Sequence, residues 1–595
     1  MLAHSPPKPR KRIILACNGC RAKRTKCDGR QPRCGGCSYR EEECQYTDSE
    51  SKRKRPSNAY ISALEARVEC LERRLAASEG RGKTNSDSGQ RAAQEPKMDD
   101  LTEAFGCFTL GDAGELRFFG ASSNFSLIQN HSLKVASSTE ARLRGLAAAR
   151  QTPGYFDPPA ELRDHLLGLF WRWQNSWQYL VPRELFLRDL YVDHSGRYCT
   201  PLLLMAILAL ASRYSSRPEV RRDIGDANTA GAAFASQAKT MLDYEYEAPT
   251  TTTVQATALL GLYWASIDNE GLGFMYIGMA SRMAMNLGLH SDCSHSVSRN
   301  LVSRQDVEER NIVFWGVYLL DKLYCLGMGR PASIQEYNIT TAKPTAENYP
   351  LLPLSDEQTV LSTPFPTSHI TENAVATCEL LIITSEVIDQ LYAQRSEWTD
   401  REREDRVMET QLRATRFHDR LPKSLRISDS SLQPSRPYVY QLHLQYHHSV
   451  ILLHRPFLNP FSPSSQSIEY DPDGKDIHSR SCKAAAMKTS QILRIYMNNF
   501  TKRYFPISAV HPTFTAAIIL LLDLKIKKEK ETMHSLCICM KALYGMNINW
   551  DWANRSIRAI RSLAAQWEVD LFVLDLERDI DEESRRQYER YPGNS

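Results

Sequence analysis

Six cysteines near the start of the chain constrain it most. Cys17, Cys20, Cys27, Cys34, Cys37 and Cys44 are spaced C-x2-C-x6-C-x6-C-x2-C-x6-C. The stretch reads as two similar halves, each a C-x2-C followed by a third cysteine after six residues. Thiolates beside a C-x2-C turn suit zinc, which takes four tetrahedral ligands with sulfur at about 2.3 Å. Six sulfurs are too many for one such site and too few for two separate ones. Two ions need eight ligand positions, so two sulfurs must bridge. The repeat points to the first cysteine of each half, Cys17 and Cys34. Two Zn2+ against six thiolates leave a net charge of −2. Arg21, Lys23, Arg24, Lys26, Arg30 and Arg33 offset it and help keep the sulfurs deprotonated. A disulfide framework is the plainer alternative, but it needs an oxidising compartment.

These six spacings, the C-R-x-K-R-x-K-C run and Pro32 in the middle loop resemble the DNA-binding domain of the fungal zinc binuclear cluster (Zn2Cys6) transcription factors. The residues after the first C-x2-C turn are expected to form a short helix whose end enters the major groove. There, Lys or Arg pairs best with guanine O6 and N7. The resemblance places Lys23 and Arg24 at the base-reading positions and implies a CGG-type triplet. Many members carry lysine at the second position, and arginine changes the donor geometry. Arg21 and Lys26 read as phosphate contacts.

Charge supports a polyanion partner for the head alone. Residues 1–60 hold 15 Lys and Arg against 6 Asp and Glu, whereas the remainder holds 59 against 64. The nine cysteines outside the cluster are scattered, as free thiols in a reducing compartment would be. Met1 to Arg12 is proline-rich and basic without an apolar core, so no secretory leader is expected. The strongest apolar run read from the sequence, Leu202 to Ala211, is half the roughly 20 residues of a membrane span, and no membrane partner is expected. Basic clusters at 8–12 and 52–55 look like nuclear import signals or arms that touch phosphate.

Ile61, Leu64, Val68, Leu71 and Leu75 fall at alternating gaps of four and three, the a/d seam of a coiled coil. The seam is short, but its place after the cluster and a polar linker favours dimerisation. A second DNA contact then becomes intramolecular and multiplies affinity. Residues 80–100 are polar and poor in core formers, the composition of a disordered linker. The apolar island 114–127 is expected to dock onto the large domain that follows.

From about Pro158 helical patterns run to about residue 570, with apolar residues recurring at three and four. Segments such as Tyr276–His290, Glu308–Trp315 with Asp321 and Gly329-Arg330-Pro331, and Leu452–Phe457 resemble the fungal-specific regulatory domain, also called the middle homology region.

The expected fold is mostly α. It comprises a small Zn2Cys6 binuclear cluster domain, a short coiled coil, a disordered linker and a large all-α regulatory domain. The boundaries are 1–12 basic arm, 13–46 cluster domain, 47–59 linker, 60–78 coiled coil, 79–157 largely disordered linker, 158–566 regulatory domain and 567–595 acidic-hydrophobic tail.

The body carries other candidate groups. His443, His447 and His448 lie near one helical face, but without the glutamate of H-E-x-x-H they read as core or surface histidines. Trp171, Trp173 and Trp177 read as core, Cys537 and Cys539 as buried thiols, and Asp321 with Arg330 as a structural pair or caps. The sequence has no G-x-G-x-x-G, Walker loop or G-x-S-x-G, so no enzyme is expected. The tail interleaves acids with bulky apolar residues, which suits coactivator recruitment as well as a last helix. The expected protein is a nuclear, homodimeric, sequence-specific transcription factor, an activator by preference. Its partners are double-stranded DNA, coactivators and, on the body, a small-molecule effector or repressor. A repressor or scaffold of the same family is the alternative.

Overall fold

The computed structural model describes residues 16–46, 106–110, 116–120, 137–298, 302–345, 366–427, 434–458 and 476–571. The coiled-coil seam, the basic clusters, the linker at 47–59 and most of the acidic tail lie outside the described residues. The chain divides into two compact units, Met1–Glu95 and Pro96–Ser595.

In the first unit, two five-residue helices, α1 (Asn18–Ala22) and α2 (Gly35–Tyr39), are built alike. Each starts on a cysteine whose sulfur accepts a backbone N–H three residues on: Cys20 N to Cys17 at 3.4 Å and Cys37 N to Cys34 at 3.3 Å. Each ends on a long cation, Lys23 or Arg40. The next residues, Arg24 and Glu41, take left-handed φ of 50° and 56°. That reversal is a usual helix stop, and it carries the chain round to the third cysteine of each half. Thr25 N then bonds Cys20 O at 3.0 Å, as Glu42 N bonds Cys37 O at 3.0 Å. The six-residue spacers therefore hold the same turn twice.

The second unit opens with a hairpin of β1 (Gly106–Leu110) and β2 (Leu116–Gly120), antiparallel, with Gly106 opposite Gly120 and Leu110 opposite Leu116. Phe118 meets the His290 ring edge-on at 4.8 Å, so the first part of the apolar island does dock on the helical body.

The body is built from helix after helix. In chain order these are α3 (Ser138–Arg150), α4 (Ala160–Leu169), α5 (Arg183–Arg188), α6 (Pro201–Ser212), α7 (Ala232–Glu245), α8 (Thr251–Ser266) and α9 (Glu270–Asn286). They continue as α10 (Arg304–Met328), α11 (Thr367–Leu391), α12 (Asp400–Asp419), α13 (Pro437–His454), α14 (Ile477–Asn499), α15 (Val510–Ile526), α16 (Lys530–Asn547) and α17 (Asp551–Gln566). Neighbours in sequence pack as pairs, notably α8 on α9, α13 on α14 and α15 on α16. One continuous core runs from Ala149 to Val569. The α8–α9 crossing needs two glycines: a Cβ on Gly273 would lie 2.8 Å from Gly261 O, and one on Gly261 2.7 Å from Ile277. Trp171, Trp173 and Trp177 are all core, and Trp173 stacks on Tyr504 at 4.3 Å.

Three expectations change. The span 79–157 is not linker throughout, since α3 buries Ala141, Gly145 and Ala149 against α7. Its buried face is made of small residues four apart, and small side chains leave little trace in an apolar pattern. Second, an apolar run longer than Leu202 to Ala211, Ile507–Ile526, passes as a membrane span by length and composition. That stretch is 78% buried inside the body, so it is a core helix. Third, Asp321 and Arg330 are not partners of each other. Asp321 accepts the N–H groups of Ser333 and Ile334 at 2.8 and 2.9 Å, while Arg330 lies 4.5 Å above the Phe274 ring.

Candidate metal centre and nucleic-acid interface

The first two cysteines of each half face one another. Cys17 Sγ lies 3.6 Å from Cys34 Sγ and 3.5 Å from Cys37 Sγ, and Cys20 Sγ lies 3.7 Å from Cys34 Sγ. These are not disulfide lengths, and all six are free thiols. Two groups of four sulfurs form, each with its members within 4.8 Å of one another. One is Cys17, Cys20, Cys27 and Cys34; the other is Cys17, Cys34, Cys37 and Cys44. The groups share Cys17 and Cys34. A tetrahedron with sulfur about 2.3 Å from its centre has edges of about 3.8 Å, so an all-thiolate zinc fits each group. The crowding shows in the Cys37 thiol, which is pushed far above its usual range, first by Cys34 and then by burial.

Sequence reasoning missed part of the setting. Arg40 Nη2 donates to Cys20 Sγ at 3.5 Å, yet Arg40 was not among the cations expected to offset the cluster. Tyr46 Oη lies 3.7 Å from Cys27 Sγ and donates to Arg30 O at 3.0 Å. Arg33 Nη2 holds Glu42 O at 2.8 Å. The Glu42 carboxylate pairs with Lys23 Nζ and, at 3.4 Å, with Arg40 Nε. The bond from Lys23 holds the Glu42 carboxyl below its usual range. No local pattern announces the Arg40–Cys20 and Lys23–Glu42 contacts, because each joins one half of the repeat to the other.

Arg21, Lys23, Arg24 and Lys26 are all exposed. The matching positions of the second half are Ser38, Arg40, Glu41 and Glu43. One turn is cationic and its twin largely acidic, so only the first offers a surface to a polyanion.

The body's histidines form pairs. His443 Nε2 faces Leu425 O at 2.9 Å and so donates, which leaves Nδ1 to accept from His418 Nε2 at 2.9 Å. Among the described residues, the only metal-sized groups are the two in the head. A small cavity of about 30 Å³, room for about one water, is lined by Trp177, Tyr324, Trp552, His448, His511 and Ser508, among others. Ser508 Oγ accepts from Gln441 at 2.8 Å, and no carboxylate lines the space.

A thiolate cluster beside an exposed cationic turn, followed by a large helical body, defines a zinc-dependent DNA-binding regulator. Residues 15–53 match the model of the fungal Zn(2)-Cys(6) binuclear cluster domain, and residues 167–422 that of the fungal specific transcription factor domain. The chain carries the cluster domain and the regulatory domain found in the fungal Zn(2)-Cys(6) transcription factors, and that cluster domain binds two zinc ions.

It is 28% identical over 478 residues to the nitrogen assimilation transcription factor nirA of Emericella nidulans, covering 77% of this chain and 51% of that protein. It is 28% identical over 429 residues to nit-4 of Neurospora crassa, also a nitrogen assimilation transcription factor, covering 68% and 37%. Cutinase transcription factor 1 alpha of Fusarium vanettenii is 23% identical over 459 residues, covering 74% and 48%. The chain thus spans about half the length of these relatives or less.

Proposed function

We propose that the chain is a nuclear, homodimeric activator that reads CGG-like half-sites. The observation that carries this reading is the charge contrast between the twin turns of the head. Cys17, Cys20, Cys27, Cys34, Cys37 and Cys44 hold two structural zinc ions, with Cys17 and Cys34 shared. When bound, the metal supplies folding free energy. The protein's own groups do the recognition. Arg21 and Lys26 anchor on phosphate and fix register, and Lys23 and Arg24 contact guanine edges. Ile61, Leu64, Val68, Leu71 and Leu75 pair two chains, and the linker ahead of them sets the half-site spacing. The body regulates output. It takes a small-molecule effector or a repressor partner, and the acidic tail recruits coactivators. A repressor or scaffold using the same head is the second reading.

The test is enrichment of random duplex DNA by the zinc-loaded chain, with metal counted per chain. Two zincs and paired CGG-like triplets at one spacing are expected. Zinc without any enriched sequence would overturn sequence-specific binding. A reporter assay separates activator from repressor.

A further inference from the structure

Lys23 differs from its three cationic neighbours. Among the described residues, Arg21, Arg24 and Lys26 have no acidic partner, whereas the Lys23 ammonium is bound to Glu42. Glu42 lies in the acidic turn of the second half, so the contact crosses the pseudo-symmetric head. Glu42 is itself fixed at three points. Its carbonyl is held by Arg33 at 2.8 Å, its second carboxylate oxygen by Arg40 at 3.4 Å, and its N–H by Cys37 O at 3.0 Å. A carboxylate anchored this way sets where the ammonium sits. Lysine carries three N–H donors, so a single bond to Glu42 leaves two for a ligand.

We propose that Glu42 is a specificity-determining positioning residue, tethering Lys23 by one N–H and presenting the other two to a guanine edge. The proposal rests on the base-reading role assigned to Lys23. Guanine offers two acceptors, O6 and N7, at one place in the groove, which a pre-placed ammonium can meet without leaving its carboxylate. A random duplex mainly offers phosphates, which must draw Lys23 away from Glu42 and accept a carboxylate nearby. The tether therefore favours the specific complex and penalises the non-specific one, so discrimination includes a repulsive element.

The experiment compares affinity for the enriched duplex and for a scrambled duplex at one salt concentration, using the zinc-loaded full chain. Glu42→Gln removes the tether and one negative charge. Glu41→Gln removes the same charge one residue away and keeps the tether. Glu42→Asp keeps the charge but shortens the reach, and it serves if Glu42→Gln loses zinc. The ratio of the two affinities is expected to fall about three- to fivefold in Glu42→Gln and Glu42→Asp, the range of an exposed ion pair. In Glu41→Gln both affinities should rise together and the ratio should hold. An unchanged ratio in the Glu42 variants, or an equal fall in Glu41→Gln, overturns the proposal. Lys23→Met separates the two failures: if it leaves the ratio untouched, the base-reading assignment itself is wrong.

Discussion

Arg24 and Glu41 are backbone twins of opposite charge. Each follows its helix cap with a left-handed φ, 50° and 56°, and each turns the chain toward a third cysteine. The fold of the head is nearly two-fold, and its charge is not. The two halves share a shape; the side chains at 24 and 41, and at 26 and 43, make the first turn cationic and the second acidic.

The shared sulfurs predict unequal metal loss. Cys17→Ala or Cys34→Ala removes a member of both four-sulfur groups, and is expected to abolish DNA binding with little zinc retained. Cys27→Ala leaves Cys17, Cys34, Cys37 and Cys44 together, and should keep about one ion per chain. Metal analysis of the purified variants checks this; full zinc and normal binding in Cys17→Ala would refute the shared-ligand arrangement.

Phosphate anchoring predicts a steep salt dependence. Affinity should fall linearly on a log–log plot against salt, and Arg21→Ala or Lys26→Ala should each reduce the slope by about 1. A slope indifferent to both substitutions would remove them from the phosphate contacts.

The body should lose stability in mild acid. Burial holds His290, His443 and His511 at about 4, and His447 and His454 at about 3. The unfolded chain takes protons on these rings below about pH 6.5 and the folded chain does not, so stability falls as pH drops from 6.5 toward 4. Burial raises Glu245 and Glu309 to about 7, which acts the other way over part of the range. Five imidazoles outweigh two carboxyls, with a net uptake of about three protons on unfolding near pH 5.5. Every tryptophan lies between Trp171 and Trp567, so fluorescence-detected melting reports the body alone. A flat midpoint between pH 6.5 and 4.5 would contradict the burial of these rings.

Lys322 is 1% exposed and pairs with Glu336 Oε1 at 2.8 Å; the same oxygen accepts from Tyr318 at 2.8 Å and Ser385 at 3.1 Å. Lys322→Met should destabilise the body by about 1.5–3 kcal/mol, because Glu336 loses its cation but keeps the Tyr318 and Ser385 hydroxyls. Adding Glu336→Gln should recover part of that loss. Chemical denaturation of both single variants and the double variant measures it, and additive losses would mean that the pair is not coupled.

The close α8–α9 crossing predicts that Gly273→Ala costs about 1–3 kcal/mol, the usual range for overpacking. The added methyl meets the Gly261 carbonyl and the Tyr324 hydroxyl. A neutral effect on the melting midpoint would show that the helices can part freely.

Much of the body was legible because long helices with bulky apolar stripes announce themselves. Helices α6, α8, α9, α10, α11, α13 and α14 all fall on segments with such stripes. Helix α3 was hidden because its buried face is alanine and glycine. Helix α12 was hidden because it buries only Val407, Thr410 and Ala414, although its capping box, Thr399 with Glu402, stands in the sequence.

In the head, the sequence alone determined the donor set. Cysteine spacing is a local property, and thiolate chemistry with two sulfurs per turn leaves few metals and few arrangements. It also determined the basic run, because charge is read residue by residue. Only the tertiary structure decided that Arg40 reaches Cys20 and that Glu42 holds Lys23. Those contacts span 20 and 19 residues between two turns of the same shape. Their energy depends on distance across the fold rather than on order along the chain.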